Sequence, residues 1–278
     1  MHIPFFSVII PTYNRAGFLD TSIKSVLDQS FCDLELIVID DGSTDRTAQL
    51  IKDIPDKRLK YIKKAHAGVS AARNIGIRQS RGKFISFLDS DDKFTDTKLE
   101  IAYKYIHDFP KYMIFHTEEL WYRHGKVLNQ KKIHKKPEGD VFANSLKLCC
   151  ISLSTAVVKK ELFDKIGYFD ENFQACEDYE LWLRAAALYP VKLIPEVLTI
   201  KQGGHADQLS KKFPAMDTLR IAAIDKLIKT WPLKKSQKQA AVLELKKKCR
   251  IYIKGAQKRG KLKEAFEYDK LMHFYDKE

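Results

Sequence analysis

The 278-residue sequence lacks long hydrophobic runs and low-complexity segments. Its apolar stretches, such as those at 5–11 and 84–88, have the length of a strand, whereas a membrane-spanning helix needs about 20 apolar residues. The start, MHIPFFSVIIPTYN, has no basic segment, so we expect no secretory signal peptide. Twelve glycines and nine prolines are too few for a fibrous chain. With 45% hydrophobic and 31% charged residues, the composition favours a globular protein with a buried core.

The five cysteines form no C-x-x-C pair and have no spacing typical of a metal site. Cys149 and Cys150 are adjacent, and Cys32, Cys176 and Cys249 are scattered. An odd number of scattered cysteines favours reduced thiols over a disulfide framework. We therefore expect a cytoplasmic protein.

The formal net charge of +13 is concentrated in a tail. Residues 211–278 contain 19 Lys and Arg against eight Asp and Glu, and the preceding residues are close to balanced. The sequence shows no recognised nucleic-acid motif, so we expect no nucleic-acid partner. Three roles remain open to the tail: contact with the anionic inner face of a membrane, packing against a partner or a second copy, or a plain solvated surface. Our hypothesis is the first, a weak and salt-sensitive peripheral contact.

Hydrophobic runs alternate with amphipathic stretches along the first 95 residues. The predicted strands are at 6–10, 34–39, 59–62 and 83–88. The predicted helices are at 17–29, 44–51, with Ser43 or Thr44 as N-cap, and 69–78. This order predicts a parallel sheet with helices on its faces, which binds ligands beyond the carboxyl ends of its strands.

The second half has a less regular pattern. Strands are predicted at 113–122, 154–158 and 191–200, helices at 161–166 and 177–188, and a basic loop or hairpin at 125–137. From about residue 215 the pattern is helical, with a break near Arg259 and Gly260.

Polar side chains follow three of the predicted parallel strands. The first strand leads into PTYNR, the second into DDGSTD and the fourth into DSDD. Each segment alone would fit ordinary turn chemistry. Several carboxylates at one edge repel one another unless a cation or a donor-rich ligand lies between them, and Mg²⁺ is commonly held by one or two carboxylates plus substrate phosphates. Together the three segments indicate a nucleotide and metal site.

Five segments in this order resemble the family 2 glycosyltransferases with the GT-A fold: FSVIIPTYNR, LELIVIDDGSTDRT, GVSAARNIGI, GKFISFLDSDD and EDYELWLR. The resemblance covers about residues 5–205. It implies an α/β fold with a Rossmann-like, mostly parallel sheet flanked by helices, to which the helical pattern adds a C-terminal all-helical appendage. We divide the chain into a glycosyltransferase domain at 1–212, with a nucleotide-binding half at 1–95 and an acceptor half at 96–212, and a basic helical region at 213–278.

The resemblance implies roles for residues of the nucleotide-binding half. Asp41, with Asp40 beside it, would bind the base, and Asp89 would hold the ribose. Arg15 and Arg73 suit phosphate oxygens, because a guanidinium donates in a fork that matches them. The full set of expected nucleotide-binding residues is Thr12, Asn14, Arg15, Asp40, Asp41, Arg73 and Asp89.

The resemblance also implies a metal site and a catalytic base. Asp91 would ligate the Mn²⁺ or Mg²⁺ that bridges the diphosphate, with Asp92 in support and His205 as a further candidate ligand. Asp178 would deprotonate the acceptor hydroxyl, with Glu177 in a supporting role. A single base suffices for a direct displacement when a metal stabilises the leaving group.

The leading hypothesis is an inverting glycosyltransferase that uses a nucleotide-diphosphate sugar, most often UDP-linked, to build surface polysaccharide or lipid-linked glycan. The acceptor would be a glycan or a lipid-linked glycan, at the inner face of the membrane. One alternative is a sugar nucleotidyltransferase, although PTYNRAG lacks the Gly-rich basic loop that grips a triphosphate. Another is a non-catalytic nucleotide-sugar binder, which the presence of Asp89, Asp91 and Asp178 disfavours.

Overall fold

The computed structural model describes residues 2–204 and 216–276. The strands in these ranges are β1 Phe6–Thr12, β2 Leu34–Asp40, β3 Leu59–Lys63, β4 Phe84–Phe87, β5 Lys93–Phe94, β6 Ile114–Arg123, β7 Lys126–Leu128, β8 Val157–Lys159 and β9 Val191–Gly203. The helices are α1 Ala16–Leu27, α2 Thr47–Lys52, α3 Val69–Gln79, α4 Lys98–Asp108, α5 Phe142–Lys147, α6 Leu162–Ile166, α7 Glu177–Leu188, α8 Met216–Thr230, α9 Lys235–Lys258 and α10 Leu262–Phe274.

These strands form one sheet in the order β3-β2-β1-β4-β8-β6-β9-β5, with β7 paired to β6. The first four are parallel, as the alternating pattern predicts. In this register Thr12 lies opposite Asp40, so the carboxyl ends of β1 and β2 meet at one edge. The second half mixes directions, because β8 runs antiparallel to both β4 and β6 while β6 and β9 are parallel.

Both faces of the sheet are covered, which explains the nearly continuous hydrophobic sequence of β1. Val8 and Ile10 pack with α1 and α4 on one face. Ile9 points to the other face, into a cluster that includes residues of α3 and α7. Side chains alternate across a strand, so one hydrophobic strand supplies both cores.

The three C-terminal helices share the second core. Ile224, Leu245 and Cys249 belong to the same cluster as Trp182 of α7. The break between α9 and α10 falls at residues 259–261, where Gly260 has a φ of 71°, which confirms the predicted interruption. No helix in the two described ranges is long and apolar enough to span a membrane. All five cysteines are free.

Some elements differ from the sequence prediction. The helix expected at 44–51 begins at Thr47. The reason is that Asn14 Oδ1 accepts from the backbone N–H groups of Thr44 and Asp45, and the Asp45 side chain accepts from Thr47 N. Thus neither Ser43 nor Thr44 is its N-cap. The strand expected at 154–158 is a 3₁₀ turn at Leu153–Thr155 followed by the short β8. Helices α4 and α5 were not predicted.

Candidate active site

The loops after β1 and β2 are joined by Asn14. Its φ of 52° lies in the left-handed region, which asparagine tolerates. Its backbone N donates to Ser43 Oγ at 2.8 Å, and its Oδ1 accepts from Thr44 N at 2.8 Å. The Asn14 side chain therefore holds the DDGST segment against the end of β1.

Asp40 and Asp41 are both buried, and their carboxylates are engaged by the protein. Asp40 accepts from Ser43 N at 2.7 Å and from the Tyr61 hydroxyl at 2.6 Å. Asp41 accepts from Ala67 N at 3.0 Å and Gly68 N at 2.8 Å, and it also bonds the Lys64 ammonium. Through these contacts the two aspartates fix the turn after β2 and the loop at 64–68.

A flat aromatic surface lies beside Asp41. The rings of Tyr13 and His66 stack with their centroids 4.2 Å apart and an interplanar angle of 23°. Both residues are exposed, and His66 Nδ1 lies 2.8 Å from Asp41 Oδ2. The sequence prediction missed this pair. In the sequence, the only indication of this pair was Tyr13, an aromatic residue directly after a strand, within the PTYN segment.

Arg73 links the two halves of the chain. Its Nη2 donates to Asp89 Oδ1 at 2.8 Å, and its Nη1 donates to Glu177 Oε1 at 2.5 Å. Burial opposes the ionisation of Asp89, but Arg73 and Lys201 outweigh it and hold the pKa of Asp89 below its usual value. Asp89 is partly exposed, whereas Arg73 and Glu177 are buried. The structure thus brings together three predicted site residues that are up to 104 positions apart.

Asp91 and Asp92 differ in their surroundings. Asp91 is partly exposed and accepts from Arg15 Nη1 at 3.0 Å. Asp92 is buried and accepts from Ser154 Oγ at 2.7 Å and Gln202 N at 3.1 Å. Burial and the negative charge of Asp89 raise the pKa of Asp91. Burial raises the pKa of Asp92 to about 7. Asp91 is therefore the more accessible of the two, and Asp92 fixes the loop through its buried hydrogen bonds.

These carboxylates fit a divalent cation with an incomplete set of protein ligands. Within the described residues there is no group of three or more His, Cys, Asp or Glu arranged to hold a metal ion. Asp89 and Asp91 are nevertheless close enough for the charge of one to raise the pKa of the other. A cation that takes one or two carboxylates and completes its shell with a diphosphate suits this pair. The candidate ligand His205 lies outside the described residues.

Asp178 stands at the start of α7, next to Glu177. The residue before α7, Cys176, has a φ of 60°, a strained conformation that aims the first turn of the helix. Asp178 is half-buried, and its Oδ2 accepts from the Cys149 thiol at 3.3 Å. In the described part of the chain no Lys or Arg lies within salt-bridge distance of this carboxylate. Asp178 Oδ1 accepts from Tyr179 N at 2.7 Å, so each oxygen of this half-buried carboxylate accepts one hydrogen bond from the described residues.

Beneath the acidic loop lies a polar network that the sequence did not reveal. Lys98 is 0% exposed, and its Nζ donates to Ser154 O at 2.5 Å and Thr199 Oγ1 at 3.0 Å. Ser154 Oγ also accepts from Asp89 N at 3.1 Å. Burial lowers the pKa of Lys98 well below its usual value. Nothing in the pattern of α4 marks Lys98 as buried, so only the packing identifies it.

The family of the chain follows from comparison with known proteins. The model of glycosyl transferase family 2 matches residues 7–167, more than half of the chain. The chain belongs to glycosyl transferase family 2. The matched residues contain all of β1 but its first residue, all of β2 and β4, and the loops that carry Asp41, Asp89 and Asp91.

Curated relatives match about two thirds of the chain. A protein of Rickettsia bellii described as an uncharacterized glycosyltransferase is 40% identical over 179 residues, which make up 64% of this chain and 26% of that protein. The Escherichia coli UDP-Glc:alpha-D-GlcNAc-diphosphoundecaprenol beta-1,3-glucosyltransferase WfgD is 33% identical over 181 residues, 64% of this chain and 68% of that one. The chain spans about a quarter to a third of the length of the first Rickettsia relatives it matches.

Solved structures share the fold. Staphylococcus aureus TarS 1–349 in complex with UDP-GlcNAc aligns with a TM-score of 0.69 at 18% identity, over 98% of this chain and 91% of that one. The mannosyltransferase PcManGT of Pyrobaculum calidifontis, in complex with GDP-Man and Mn²⁺, aligns with a TM-score of 0.66 at 18% identity, over 92% and 76% of the two chains. The expected GT-A architecture is confirmed.

Proposed function

We propose that the chain transfers a sugar from a nucleoside-diphosphate donor, a UDP-sugar, to an acceptor hydroxyl by direct displacement with inversion. The observation that carries this proposal is the Asp89–Arg73–Glu177 bridge, which ties the acidic loop at 89–92 to the start of α7, where Asp178 follows Glu177. A displacement with inversion needs a base on the side of the acceptor and charge stabilisation on the side of the leaving group. Asp178, next to the Glu177 end of the bridge, would be the base, and the acidic loop at the Asp89 end would hold the cation that stabilises the charge.

The nucleotide would lie over the ends of β1 and β2. Tyr13, stacked on His66, offers a face for the base, and the loop fixed by Asp41 forms its wall. Thr12 Oγ1 is buried at the end of β1 and has no hydrogen-bond partner among the described residues, which suits a contact with the ligand. Asn14 and Asp40 would act by holding the loops, and the partly exposed carboxylate of Asp89 would accept from the ribose hydroxyls. The name of WfgD and the complex of TarS support uridine as the base.

The cofactor in this proposal is Mn²⁺ or Mg²⁺, held by Asp91 with Asp89 nearby. When bound, the cation stabilises the negative charge that develops on the departing diphosphate. Arg15, which pairs with Asp91, is within reach to take a phosphate oxygen, and Asp92 fixes the loop through Ser154.

Asp178 is the base in this proposal. Its Oδ2 would take the proton of the acceptor hydroxyl as that oxygen attacks the anomeric carbon. The Cys149 thiol donates to the same oxygen and orients the carboxylate. Burial and the neighbouring Asp178 raise the pKa of the Cys149 thiol, so it stays protonated and can donate. Buried Glu177 orients Arg73 and does not touch the substrates.

We assign donor binding to residues 1–95, acceptor binding to 96–212 and a supporting role to the helices of 213–278. The acceptor would be a glycan or lipid-linked glycan in polysaccharide synthesis, at the inner face of the membrane. On α9 the exposed Leu243, Lys247 and Ile251 recur every four residues and offer an apolar and basic stripe to anionic lipid. Binding to phosphatidylglycerol vesicles at low salt that is no tighter than to phosphatidylcholine vesicles would contradict this membrane contact.

A panel of nucleotide sugars incubated with the protein, Mn²⁺ and candidate acceptors tests the function. We expect release of UDP from one donor, with losses of at least about 100-fold in Asp91→Asn and Asp178→Asn. Asp108→Asn, an exposed aspartate at the end of α4, is the matched control and should keep full activity. Release of pyrophosphate from a nucleoside triphosphate and sugar phosphate would indicate the nucleotidyltransferase instead. Binding without turnover across all acceptors would indicate the non-catalytic binder.

A further inference from the structure

A groove of about 710 Å³ lies on the acceptor half, outside the donor site. Four lysines line it, and apolar side chains that include Ile133 and Leu148 lie between them. The lysines are Lys132, Lys135, Lys136 and Lys147. The loop at 132–138 and the end of α5 form its two walls.

The charge of the groove is nearly all positive. Glu138 is the one acidic residue among the described residues that line it, and its Oε1 already bonds Lys192 Nζ at 2.5 Å. Across the described ranges, no carboxylate lies within salt-bridge distance of Lys132, Lys135 or Lys147. A concave surface with several uncompensated ammonium groups attracts anions, since field lines concentrate in a cleft.

One residue that lines the groove is the chain neighbour of a residue that contacts the proposed base. Cys150 lines it, and the preceding residue, Cys149, donates to Asp178 Oδ2. Lys136 is 4% exposed, and its Nζ lies 3.1 Å from Glu119 Oε1, so one lysine of the set is fixed at depth. Its positive charge also acts on the Cys149 thiol.

The groove is built from fixed elements. His116 Nε2 donates to Pro137 O at 2.8 Å, and Gly139 exchanges backbone hydrogen bonds with Val191 at 2.8 and 2.9 Å. On the other wall, Lys248 of α9 donates to Lys147 O at 3.0 Å. The groove therefore exists before any ligand binds, which lowers the cost of ordering on binding.

We propose that this groove binds the phosphate of a phosphate-bearing acceptor, a lipid diphosphate or a phosphodiester, and directs the acceptor sugar to Asp178. This inference rests on the proposed function and adds the chemical class of its acceptor. A neutral glycan would gain little from four lysines, whereas a phosphate gains charge-assisted hydrogen bonds. The intervening apolar side chains suit the first carbons of a lipid.

The test measures binding, so that it does not depend on turnover. With the donor site saturated by UDP and Mn²⁺, calorimetric titrations would use geranyl diphosphate, glycerophosphoglycerol and neutral octyl N-acetylglucosaminide. We expect both phosphate compounds to bind more tightly than the neutral glycoside. Tighter binding of geranyl diphosphate than of glycerophosphoglycerol would identify a lipid diphosphate, and similar binding would identify recognition of phosphate alone.

The variant Lys132→Gln/Lys135→Gln/Lys147→Gln should bind the phosphate compounds at least about tenfold more weakly. The control Lys52→Gln/Lys111→Gln/Lys165→Gln removes the same charge from exposed sites elsewhere and should bind them as the wild type does. Unchanged affinity in the groove variant, or equal affinity for the neutral glycoside, would overturn the inference. The affinity for UDP is also measured in the wild type and in every variant. A wild-type protein that does not bind UDP would refute the proposed function itself, whereas UDP binding without the expected phosphate binding would refute only the groove.

Discussion

Arg73 Nη1 donates to Glu177 Oε1 at 2.5 Å, and both side chains are buried. This contact joins α3 of the first half to α7 of the second, next to Asp178. Since Arg73 also holds Asp89, one guanidinium sets the distance between the acidic loop at 89–92 and the proposed base. The relative position of Asp89 and Glu177 therefore depends on an arginine whose main partners are within the protein.

Removal of this guanidinium should destabilise the fold. Arg73→Ala leaves the buried Glu177 carboxylate unpaired, and breaking a buried pair costs about 3–5 kcal/mol of unfolding free energy. Arg73→Lys keeps the charge, but one ammonium cannot reach both Glu177 and Asp89 as the guanidinium does. We therefore expect a smaller loss of stability, with a clear loss of kcat. Urea unfolding and initial rates check both. Arg78→Ala, an exposed arginine on the same helix, is the control, and equal effects in the two alanine variants would contradict the role of the bridge.

We expect the Cys149 thiol to affect kcat and not the binding of the nucleotide sugar. Cys149→Ala removes one donor to Asp178, and a hydrogen bond of about 1 kcal/mol corresponds to a loss in kcat of about fivefold. Cys149→Ser keeps a donor and should recover most of this loss. The KM for the nucleotide sugar should be unchanged in both. A shared loss of activity in the serine and alanine variants would instead indicate a packing role.

Tyr13 should contribute to nucleotide affinity through its ring. Tyr13→Ala removes the exposed face, and stacking of a base on an aromatic side chain contributes about 1–3 kcal/mol, so UDP should bind at least about fivefold more weakly. Tyr13→Phe keeps the ring and should bind UDP as the wild type does. Calorimetric titration of UDP measures both. If Tyr13→Ala bound UDP with wild-type affinity, the base would have to lie elsewhere.

His116 should make the fold sensitive to acid. Burial lowers the pKa of His116 to about 3, whereas an unfolded histidine titrates near 6.5. Between these values the unfolded state binds the extra proton, so the stability conferred by neutral His116 is full above about pH 6.5 and is lost as the pH falls toward 3, by about 1.4 kcal/mol per pH unit. In His116→Gln the unfolding free energy should fall less between pH 6.5 and 4. Parallel curves for the variant and the wild type would contradict this assignment.

Much of the donor half could be predicted from the sequence. The strands β1, β2 and β4 have nearly continuous hydrophobic runs because both faces of the sheet are covered there, and the polar segments after them stand where parallel strands end. Helix α7 has the predicted bounds, since its hydrophobic periodicity is clear. The acceptor half was predicted less completely. Helix α4 was missed although Leu99, Ala102 and Ile106 recur at helical spacing, and α5, with six residues, is too short to give a clear periodicity.

Which of the candidate carboxylates are exposed to a ligand could not be predicted from the sequence. Asp40, Asp41 and Asp92 look equivalent to Asp89 and Asp91 in the sequence, yet they are buried and bonded to Tyr61, to the loop at 64–68 and to Ser154. Asp89 and Asp91 are partly exposed, and each pairs with an arginine. The partners of the three buried aspartates named here lie 21 to 62 positions away along the chain. No local pattern contains them.

The amino-acid sequence by itself determined the parallel half of the sheet, the order of the polar segments at its edge and the family. These features depend on local hydrophobic periodicity and short motifs, which one stretch of chain carries alone. Only the tertiary structure decided that Arg73 binds Asp89 and Glu177 together, that Lys98 is buried beneath the site and that four lysines line one groove. The reason is physical: burial and charge pairing depend on which distant segments come into contact, and that is fixed only when the chain is folded.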